Sequence, residues 1–312
     1  MSKISNSLLK IAEKVTYQPE SNSLFFHGEP LDGDNIKSQT KSLALQIYAT
    51  FHAGVAVTPT NNSDFVNDAA LEERILDASP IKWRDSSVTL LESVAQPDGA
   101  IVAHQGLKVF VPRSRIIGDI DTTSDTAMIR LSAVEPRLST GFFFFTNKHG
   151  VGNMAAPLRI YRYAPDPDEI LPIWTEFINW CDNNDLPIRA KLLSRTHEYP
   201  RRDALVIYMP EEAWPHIYEL AKLLEVSSAA PDISTFAKPL AAGVSAAWEP
   251  RDAAIGKRQI SFGEHRSEIV AEGIVSDLTA STTTHELLAD RLKQGNIDPL
   301  CVYRNLDSPN II

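Results

Sequence analysis

Residues 187–209 read PIRAKLLSRTHEYPRRDALVIYM, and this segment predicts the central element of the fold. Two strand-like runs flank a polar connection that is longer than a tight turn, which predicts a β-hairpin. Alternation along the first strand assigns Ile188 and Leu192 to one face and Lys191 to the other. The second strand assigns Tyr208 to the face of Lys191. One face of the hairpin is therefore suited to a hydrophobic core, whereas the other is cationic.

The cationic face has two interpretations. Arg201 and Arg202 open the second strand, so a lysine, two adjacent arginines and a tyrosine gather within one hairpin. Such a set of donors suits an anion. The alternative is a solvated basic edge of the sheet, on which Lys191 extends its amine into water. The hairpin alone leaves both interpretations open.

Length and composition limit the classes of protein. A chain of 312 residues, of which 43% are hydrophobic, can form one large or two ordinary globular domains. Its net charge of −10 argues against general binding of nucleic acid or anionic membranes. The cysteines, Cys181 and Cys301, fit a reducing compartment and exclude a disulfide scaffold. Because there is neither an apolar run of membrane-spanning length nor a signal-peptide pattern, we predict a cytoplasmic protein.

The order of predicted elements indicates an α+β fold. Apolar residues at helical spacing predict a helix-rich region that ends near Pro80, because proline cannot continue a helix. Short strands separated by turn residues follow, at 88–94, 100–104, 107–112 and 126–131. After residue 157 the order is β-α-β-β-α, which is typical of α+β proteins. We predict one mixed sheet that contains residues 158–163, 188–194 and 203–209.

We place a domain boundary near residue 150, where a glycine-rich stretch follows an apolar run. Residues 1–150 form a helical and β region that is a candidate for peptide recognition. Residues 151–312 form the α+β domain that carries the cationic hairpin.

Arg266 is a second cationic candidate. A helix that starts at Ser261 or Gly263 places Arg266 on the same face as the apolar Val270, and an inward-facing arginine needs a partner. Together with the free N–H groups of the helix N-terminus it would suit a phosphate. The alternative is a structural ion pair with Glu249 or Asp203.

Common catalytic motifs are absent. The chain has no phosphate-binding glycine-rich motif, no H-E-x-x-H and no G-x-S-x-G. His149, His197 and His265 are each candidate general acids, although a single histidine in a polar loop is more often solvated.

Five blocks of the chain resemble the HopA-type effector family. They are LSTGFF from Leu138, LRIYRY from Leu158, LPIRAK from Leu186, YPRRDALVIY from Tyr199 and SFGEHR from Ser261. Members occur as type III secreted effectors of plant pathogens and as separate proteins in gene clusters for class V lanthipeptides and thioamitides. In those clusters the domain is regarded as a lyase that works beside a kinase.

The resemblance extends more distantly to phosphothreonine lyases, and it implies site residues. In those enzymes a lysine is the base, a Lys-x-His pair stands upstream, and arginines surround the phosphate. The implied base is Lys191, and the implied phosphate ligands are Arg201, Arg202 and Arg266, supported by Tyr208. Where Lys-x-His is expected, this chain has Arg159-Ile-Tyr161. Arg159 thus keeps the charge, and the acid must be Tyr161 or come from elsewhere, for example from His149.

The predicted function is elimination of phosphate from phosphoserine or phosphothreonine in a ribosomal precursor peptide. A lysine base must be unprotonated, and neighbouring arginines together with burial would lower its pKa. The arginines can also neutralise the leaving phosphate, so neither metal nor cofactor is required. The expected partners are the phosphorylated peptide, a kinase and a cyclase, with no nucleic acid and no membrane. The alternative is an effector-like or peptide-binding module without enzymatic activity; a neighbouring kinase gene would favour the lyase.

Overall fold

The structure is a computed structural model that describes residues 3–56, 68–91, 98–104, 106–118, 125–154, 156–227, 232–254, 260–282 and 284–312. The helices and strands of these residues form an α+β fold with three antiparallel sheets, as the sequence predicts. No helix in these ranges has both the length and the hydropathy that crossing a membrane requires.

The N-terminal part is rich in helix but also contains a small sheet. Its elements are α1 (Asn6–Ala12), β1 (Val15–Gln18), β2 (Ser23–Phe26), β3 (Glu29–Pro30), α2 (Ile36–Ile47) and α3 (Ala69–Asp77). Asn35 caps α2 by accepting a hydrogen bond from the backbone N–H of Ser38. A π-helical turn, Tyr48–Ala53, continues α2 and ends at Gly54, whose φ of 76° favours glycine.

A five-stranded sheet follows. It contains the strands predicted at 100–104, 107–112 and 126–131; the strand predicted at 88–94 begins earlier, at Trp83, and residues 92–94 lie outside the described residues. Its strands are β4 (Trp83–Leu90), β5 (Gly99–His104), β6 (Leu107–Pro112), β7 (Ile116–Ile117) and β8 (Thr126–Ser132). Their order is β6-β5-β4-β8-β7, and they enclose a small core around Val88, Val102 and Ile129.

The largest sheet has seven strands and carries the predicted hairpin. Its strands are β9 (Val134–Ser139), β10 (Phe142–Thr146), β11 (Leu158–Ala164), β12 (Arg189–Leu193), β13 (Arg201–Met209), β14 (Lys238–Ala241) and β15 (Val244–Trp248). The order β14-β15-β11-β13-β12-β10-β9 confirms that β11, β12 and β13 share one sheet. Strands from both sides of the predicted boundary at residue 150 belong to it.

Helices cover both faces of this sheet. The helices of the C-terminal part are α4 (Pro167–Asn183), α5 (Ile217–Leu223), α6 (Phe262–Thr279) and α7 (Glu286–Gln294). One face packs on α4 and α5 through side chains such as Ile207 and Trp174. The other face packs on α2 and α6, where Tyr161 and Val206 share a core with Phe262.

The register of the central strands aligns polar residues on the face toward α2 and α6. Lys191 pairs with Val206, and Val206 pairs with Tyr161. Tyr208 pairs with both Arg189 and Arg159 in the next row. Directly paired residues point to the same face. The cationic face predicted from alternation is therefore one wall of an interior layer, beneath α2 and α6.

A β-bulge adds further polar residues to this face. The pairing of β11 with β13 shifts between Arg162 and Ala164, and the consecutive residues Ala204 and Leu205 both pack in the core toward α4. A bulge of this kind re-aims the residues beyond it. Arg201 and Asp203 consequently reach the side of Lys191.

Candidate active site

Lys191 has an unusual environment for a lysine. Its Nζ lies 3.9 Å from the centre of the Phe142 ring, which belongs to the neighbouring strand β10. In the described part of the chain the amine has neither an ion pair nor a hydrogen bond. Burial, followed by the charge of Arg159, lowers the pKa of Lys191 to about 8. A pKa this close to neutrality allows some of the molecules to carry the neutral amine at neutral pH.

Arg201 lies beside Lys191, with its guanidinium 5.6 Å from the centre of the same Phe142 ring. Its Nε donates to Asp203 at 2.5 Å, and its Nη1 donates to Glu198 at 2.6 Å. Its Nη2 donates to the hydroxyl of Tyr48 at 2.8 Å. Burial opposes ionisation of both partners, but Arg201 still keeps the pKa of Asp203 below its usual range.

Arg195 brings a second guanidinium to this cluster, because its Nη1 donates to Glu198 at 2.9 Å. Its Nε and Nη2 are buried and have no hydrogen-bond partner among the described residues. The side chain lies against Gly141, which has no Cβ and whose φ of 77° favours glycine. Buried donors without an acceptor are uncommon in native proteins, so Arg195 is a candidate ligand for an anion.

The π-helical turn contributes two aromatic residues that we did not predict as site residues. The rings of Tyr48 and His52 are 5.4 Å apart, and His52 also contacts the ring of Tyr161 at 5.5 Å. His52 Nδ1 bonds Ser234 at 2.8 Å, and its Nε2 lies 3.7 Å from Asp203. Burial lowers the pKa of His52 to about 4, so its ring is neutral at physiological pH.

Helix α6 approaches His52 so closely that only glycine fits at Gly263. A Cβ at that position would lie 2.6 Å from His52 Nε2 and closer still to Cδ2. Gly263 and the side chain of His52 are both buried, so the ring has no room to move away.

We expect Gly263→Ala to lower the free energy of unfolding by about 1–3 kcal/mol, because the added methyl overpacks the core. Chemical denaturation measures this loss. The same substitution in a His52→Ala background should be nearly neutral, because the overlapping ring is gone. Equal losses in the two backgrounds would contradict this account of the contact.

Tyr161 and Arg159 are two residues apart on β11 and therefore lie on the same face of the sheet. The hydroxyl of Tyr161 is buried without a hydrogen-bond partner in the described structure, and burial raises its pKa. It therefore stays protonated and able to donate. Arg159 Nη2 donates to Glu249 at 2.6 Å, and its guanidinium lies 5.0 Å from the centre of the Tyr208 ring. Arg159 and Tyr208 thus stand beside the row of Lys191 and Tyr161.

Arg202, one of the predicted phosphate ligands, lies apart from this cluster. Its Nε donates to Asp232 at 2.7 Å and its Nη1 to the carbonyl of Thr50 at 2.8 Å. These partners hold its guanidinium at the end of the π-helical turn, next to Gly54.

His149, predicted as a candidate acid, also lies apart. It follows the end of β10 opposite to Phe142, and it bonds Asp185 at 3.2 Å. We therefore leave both His149 and Arg202 out of the proposed catalytic set.

Arg266 has a different environment from either predicted role. It is 0% exposed; its Nε donates to the carbonyl of Val302 at 2.9 Å and its Nη2 to Asn305 at 3.1 Å. Its Nη1 lies 2.7 Å from His265 Nδ1. These bonds to uncharged partners replace the predicted ion pair with Glu249 or Asp203, and they leave no accessible donor for a phosphate. Arg266 therefore connects α6 to the C-terminal segment.

The described ranges contain no group of three or more His, Cys, Asp or Glu side chains that could hold a metal ion.

Comparison with known proteins identifies the family. The model of the HopA1 effector protein family matches residues 133–304, which is more than half of the chain, and the chain belongs to that family. The match includes β11, β12, β13 and α6, which carry most of the candidate site. It begins at the seven-stranded sheet and leaves the five-stranded sheet outside.

Solved structures of two effector proteins from Pseudomonas syringae are similar to the chain. The protein from pathovar tomato strain DC3000 has 12% identity and a TM-score of 0.50, with 96% of each chain covered. The protein from pathovar syringae strain 61 has 14% identity and a TM-score of 0.48, again with 96% of each chain covered. At such identities the first similarity shows a common fold alone. No curated protein matches the chain.

Proposed function

We propose that this chain is a lyase that eliminates phosphate from phosphoserine or phosphothreonine in a ribosomal precursor peptide, after a partner kinase has phosphorylated it. The observation that carries the proposal is the amine of Lys191. It is partly buried, it has neither an ion pair nor a hydrogen bond among the described residues, and its pKa is lowered to about 8. A lysine with these properties suits a general base.

The proposed reaction is a β-elimination. Neutral Lys191 takes the proton from Cα, and the electron pair of that C–H bond forms a double bond between Cα and Cβ. The bond between Cβ and the phosphate oxygen breaks, and its electron pair leaves with the phosphate. Arg195 and Arg201 stabilise the leaving group, and protonated Tyr161 is the proposed proton donor. The products are a dehydroamino acid and inorganic phosphate.

Register supports this division of roles between Lys191 and Tyr161. They stand in one row across the sheet with Val206 between them, so their Cα atoms are about 10 Å apart. Two long side chains on one face can converge from that separation on the two ends of a phosphorylated residue. His52 and Phe142 flank the row and supply apolar surface.

The charge balance of the cluster favours a second candidate, a binding module without enzymatic activity. Arg195 and Arg201 face Glu198 and Asp203, so two guanidinium charges meet two carboxylates. With Lys191 neutral, the cluster has little excess charge for a phosphate dianion. A module that holds a partner peptide through these polar groups would use the same site.

Incubation with synthetic phosphothreonine and phosphoserine peptides, followed by mass spectrometry, tests the proposal. Elimination lowers the mass of the peptide by that of one phosphoric acid molecule. The product of hydrolysis is heavier than the product of elimination by one water molecule. The full chain should produce the lighter product from at least one kinase-treated precursor. Binding without any change in mass would support the second candidate.

The pH dependence of the reaction follows from the lowered pKa of Lys191. Only the neutral amine can accept a proton, so kcat/KM should fall about tenfold for each pH unit below the pKa of about 8 and level off above it. The charge of Glu264 raises this pKa. Glu264→Gln should therefore move the inflection to lower pH, while glutamine preserves the capping box of α6. An inflection that stays in place, or moves to higher pH, would argue against Lys191 as the titrating group.

A further inference from the structure

Arg84 and Arg189 are two arginines near Lys191 that the proposed reaction does not use. Arg189 is the first residue of β12 and Lys191 is the third, so both side chains point to the same face of the sheet. Arg195, a proposed ligand of the leaving phosphate, follows the other end of this strand. Along β12, Lys191 therefore lies between Arg195 on one side and Arg189 on the other.

Arg84 reaches the region of Arg189 from the five-stranded sheet. It lies near the start of β4 and pairs with Leu131, close to the point where the chain passes from β8 into β9 of the seven-stranded sheet. The pKa of Arg84 is lowered, because burial and the charge of Arg189 together outweigh the charge of Glu135, which raises it. Glu135 pairs with Phe144, and the guanidinium of Arg189 lies 4.9 Å from the centre of the Phe144 ring. The guanidinium groups of Arg84 and Arg189 are therefore neighbours.

These two guanidinium groups lack acceptors. Among the described residues Arg84 and Arg189 form neither an ion pair nor a hydrogen bond, and the Nε of each is buried without a partner. Glu135 acts on Arg84 by its charge but forms no ion pair with it in the described structure. Two cations beside one carboxylate leave an excess of one positive charge, in a chain whose net charge is −10. Buried donors without acceptors are uncommon in native proteins, so this pair is suited to a bound anion.

The two arginines are accessible, as is Lys191. Arg84, Arg189 and Lys191 each keep part of their surface exposed, and so does Tyr208, which pairs with Arg189. The hydroxyl of Tyr208 has no hydrogen bond to any described residue. Burial raises the pKa of Tyr208, so this hydroxyl stays protonated. It therefore adds a neutral donor beside the two guanidinium groups.

We infer that Arg84, Arg189 and the hydroxyl of Tyr208 form a second anion subsite, which binds the carboxylate of an aspartate or glutamate in the substrate peptide. A carboxylate matches the excess of one positive charge, and it can accept two hydrogen bonds from one guanidinium. The Cα atoms of Arg189 and Lys191 are about 7 Å apart, which is the length of two extended residues. We therefore place the acidic residue two or three positions from the phosphorylated one. The inference rests on the proposed function, since it assigns a feature of the peptide that the site would receive.

Fluorescence anisotropy with matched peptides tests the inference. The probes are nine-residue peptides with a central phosphonate analogue of phosphothreonine, whose carbon–phosphorus bond cannot be eliminated. Each carries a single glutamate, two or three positions before or after the analogue, and its counterpart carries glutamine at the same position. Their C-termini are amidated, so the glutamate supplies the carboxylate. We expect at least one glutamate peptide to bind the wild-type chain about tenfold more tightly than its glutamine counterpart.

Substitutions of the arginines locate the preference. Arg84→Gln and Arg189→Gln should each remove most of it, and neither change breaks an ion pair or a hydrogen bond among the described residues. Arg130→Gln is the matched control, because Arg130 lies on the five-stranded sheet and donates to Asp85 at 3.1 Å. This variant should retain the preference. Equal affinities of the wild type for every glutamate and glutamine pair, or an unchanged preference in Arg189→Gln, would overturn the inference.

The proposed function is judged separately, by the mass of authentic phosphothreonine peptides of the same sequences after incubation. Loss of phosphate without a preference for glutamate would support the lyase and overturn the second subsite. A preference for glutamate without loss of phosphate would contradict the lyase and leave Arg84 and Arg189 as part of a binding module.

Discussion

Lys191→Ala is expected to lower the rate of phosphate elimination by about a thousandfold or more while the phosphopeptide still binds. The contacts of Arg195 and Arg201 with the phosphate would remain, and only the group that removes the α-proton would be lost. Single-turnover kinetics with a phosphothreonine peptide measures the rate, and anisotropy measures the binding. A large loss of rate with little change in affinity is typical of a group that acts in the transition state.

Two further lysine variants make this test specific. Lys191→Arg should be as inactive as Lys191→Ala, because a guanidinium keeps the charge but does not release its proton at neutral pH. Lys238 is the matched control, since it lies on β14 of the same sheet with its Nζ 5.7 Å from the centre of the Tyr303 ring. Lys238→Ala should retain activity. If Lys191→Arg still eliminated phosphate, Lys191 would be an electrostatic stabiliser rather than the base.

Arg201→Met is expected to destabilise the chain by about 3–5 kcal/mol, because it leaves the buried carboxylate of Asp203 without its cation. The side chains of Arg201 and Asp203 are only 11% and 7% exposed. Glu198 and Tyr48 would each lose a hydrogen bond as well. Chemical denaturation with and without a phosphopeptide separates the loss of stability from the loss of binding.

The adjacent arginine is the control for this effect. Arg202 pairs with Asp232, which is 52% exposed, so Arg202→Met should lower the stability by less than about 1 kcal/mol. Adding Asp203→Asn to Arg201→Met should recover part of the stability, because the unpaired charge is then removed. Equal losses of stability in Arg201→Met and Arg202→Met would contradict a stabilising role of the buried network around Asp203.

The sequence predicted those features of the fold that depend on local pattern. Alternation placed Lys191 and Tyr208 on one face and Ile188 and Leu192 on the other, and the structure confirms both assignments. The inward direction of Arg266 on its helix was also confirmed. Periodicity is sufficient for such assignments, because each depends only on the repeat of its own element.

Features that depend on contacts between distant residues were not predicted. The bulge that turns Arg201 and Asp203 toward Lys191 appears only in the pairing of β11 with β13. Tyr48 and His52 join the site from a helix more than 150 residues before Arg201 and Asp203, and Gly263 gives space to the His52 ring. The one local signal was Gly54, which marks where this helix ends, but it does not indicate what the last turn contacts.

The partners of Arg266 were not predicted for the same reason, because they are distant from it in the sequence. Its partners Val302 and Asn305 come from the C-terminal segment, which has no pattern that associates it with α6. The sequence left two partners open, a bound phosphate or a carboxylate of Glu249 or Asp203. The structure satisfies the guanidinium with a carbonyl oxygen, an amide oxygen and a nitrogen of His265. The predicted inward direction of Arg266 was correct, and the predicted ion pair with Glu249 or Asp203 was wrong.

The hydrogen on Cα of the phosphorylated residue offers the most direct measurement of the central claim. A phosphothreonine peptide with deuterium at this carbon is incubated with the full chain, and the product is analysed by mass spectrometry. Removal of the α-proton by Lys191 predicts a product that has lost both phosphate and deuterium, formed more slowly than from the unlabelled peptide. A product that keeps the deuterium and carries a free threonine hydroxyl would contradict elimination, and a peptide that is bound but unchanged would contradict catalysis altogether.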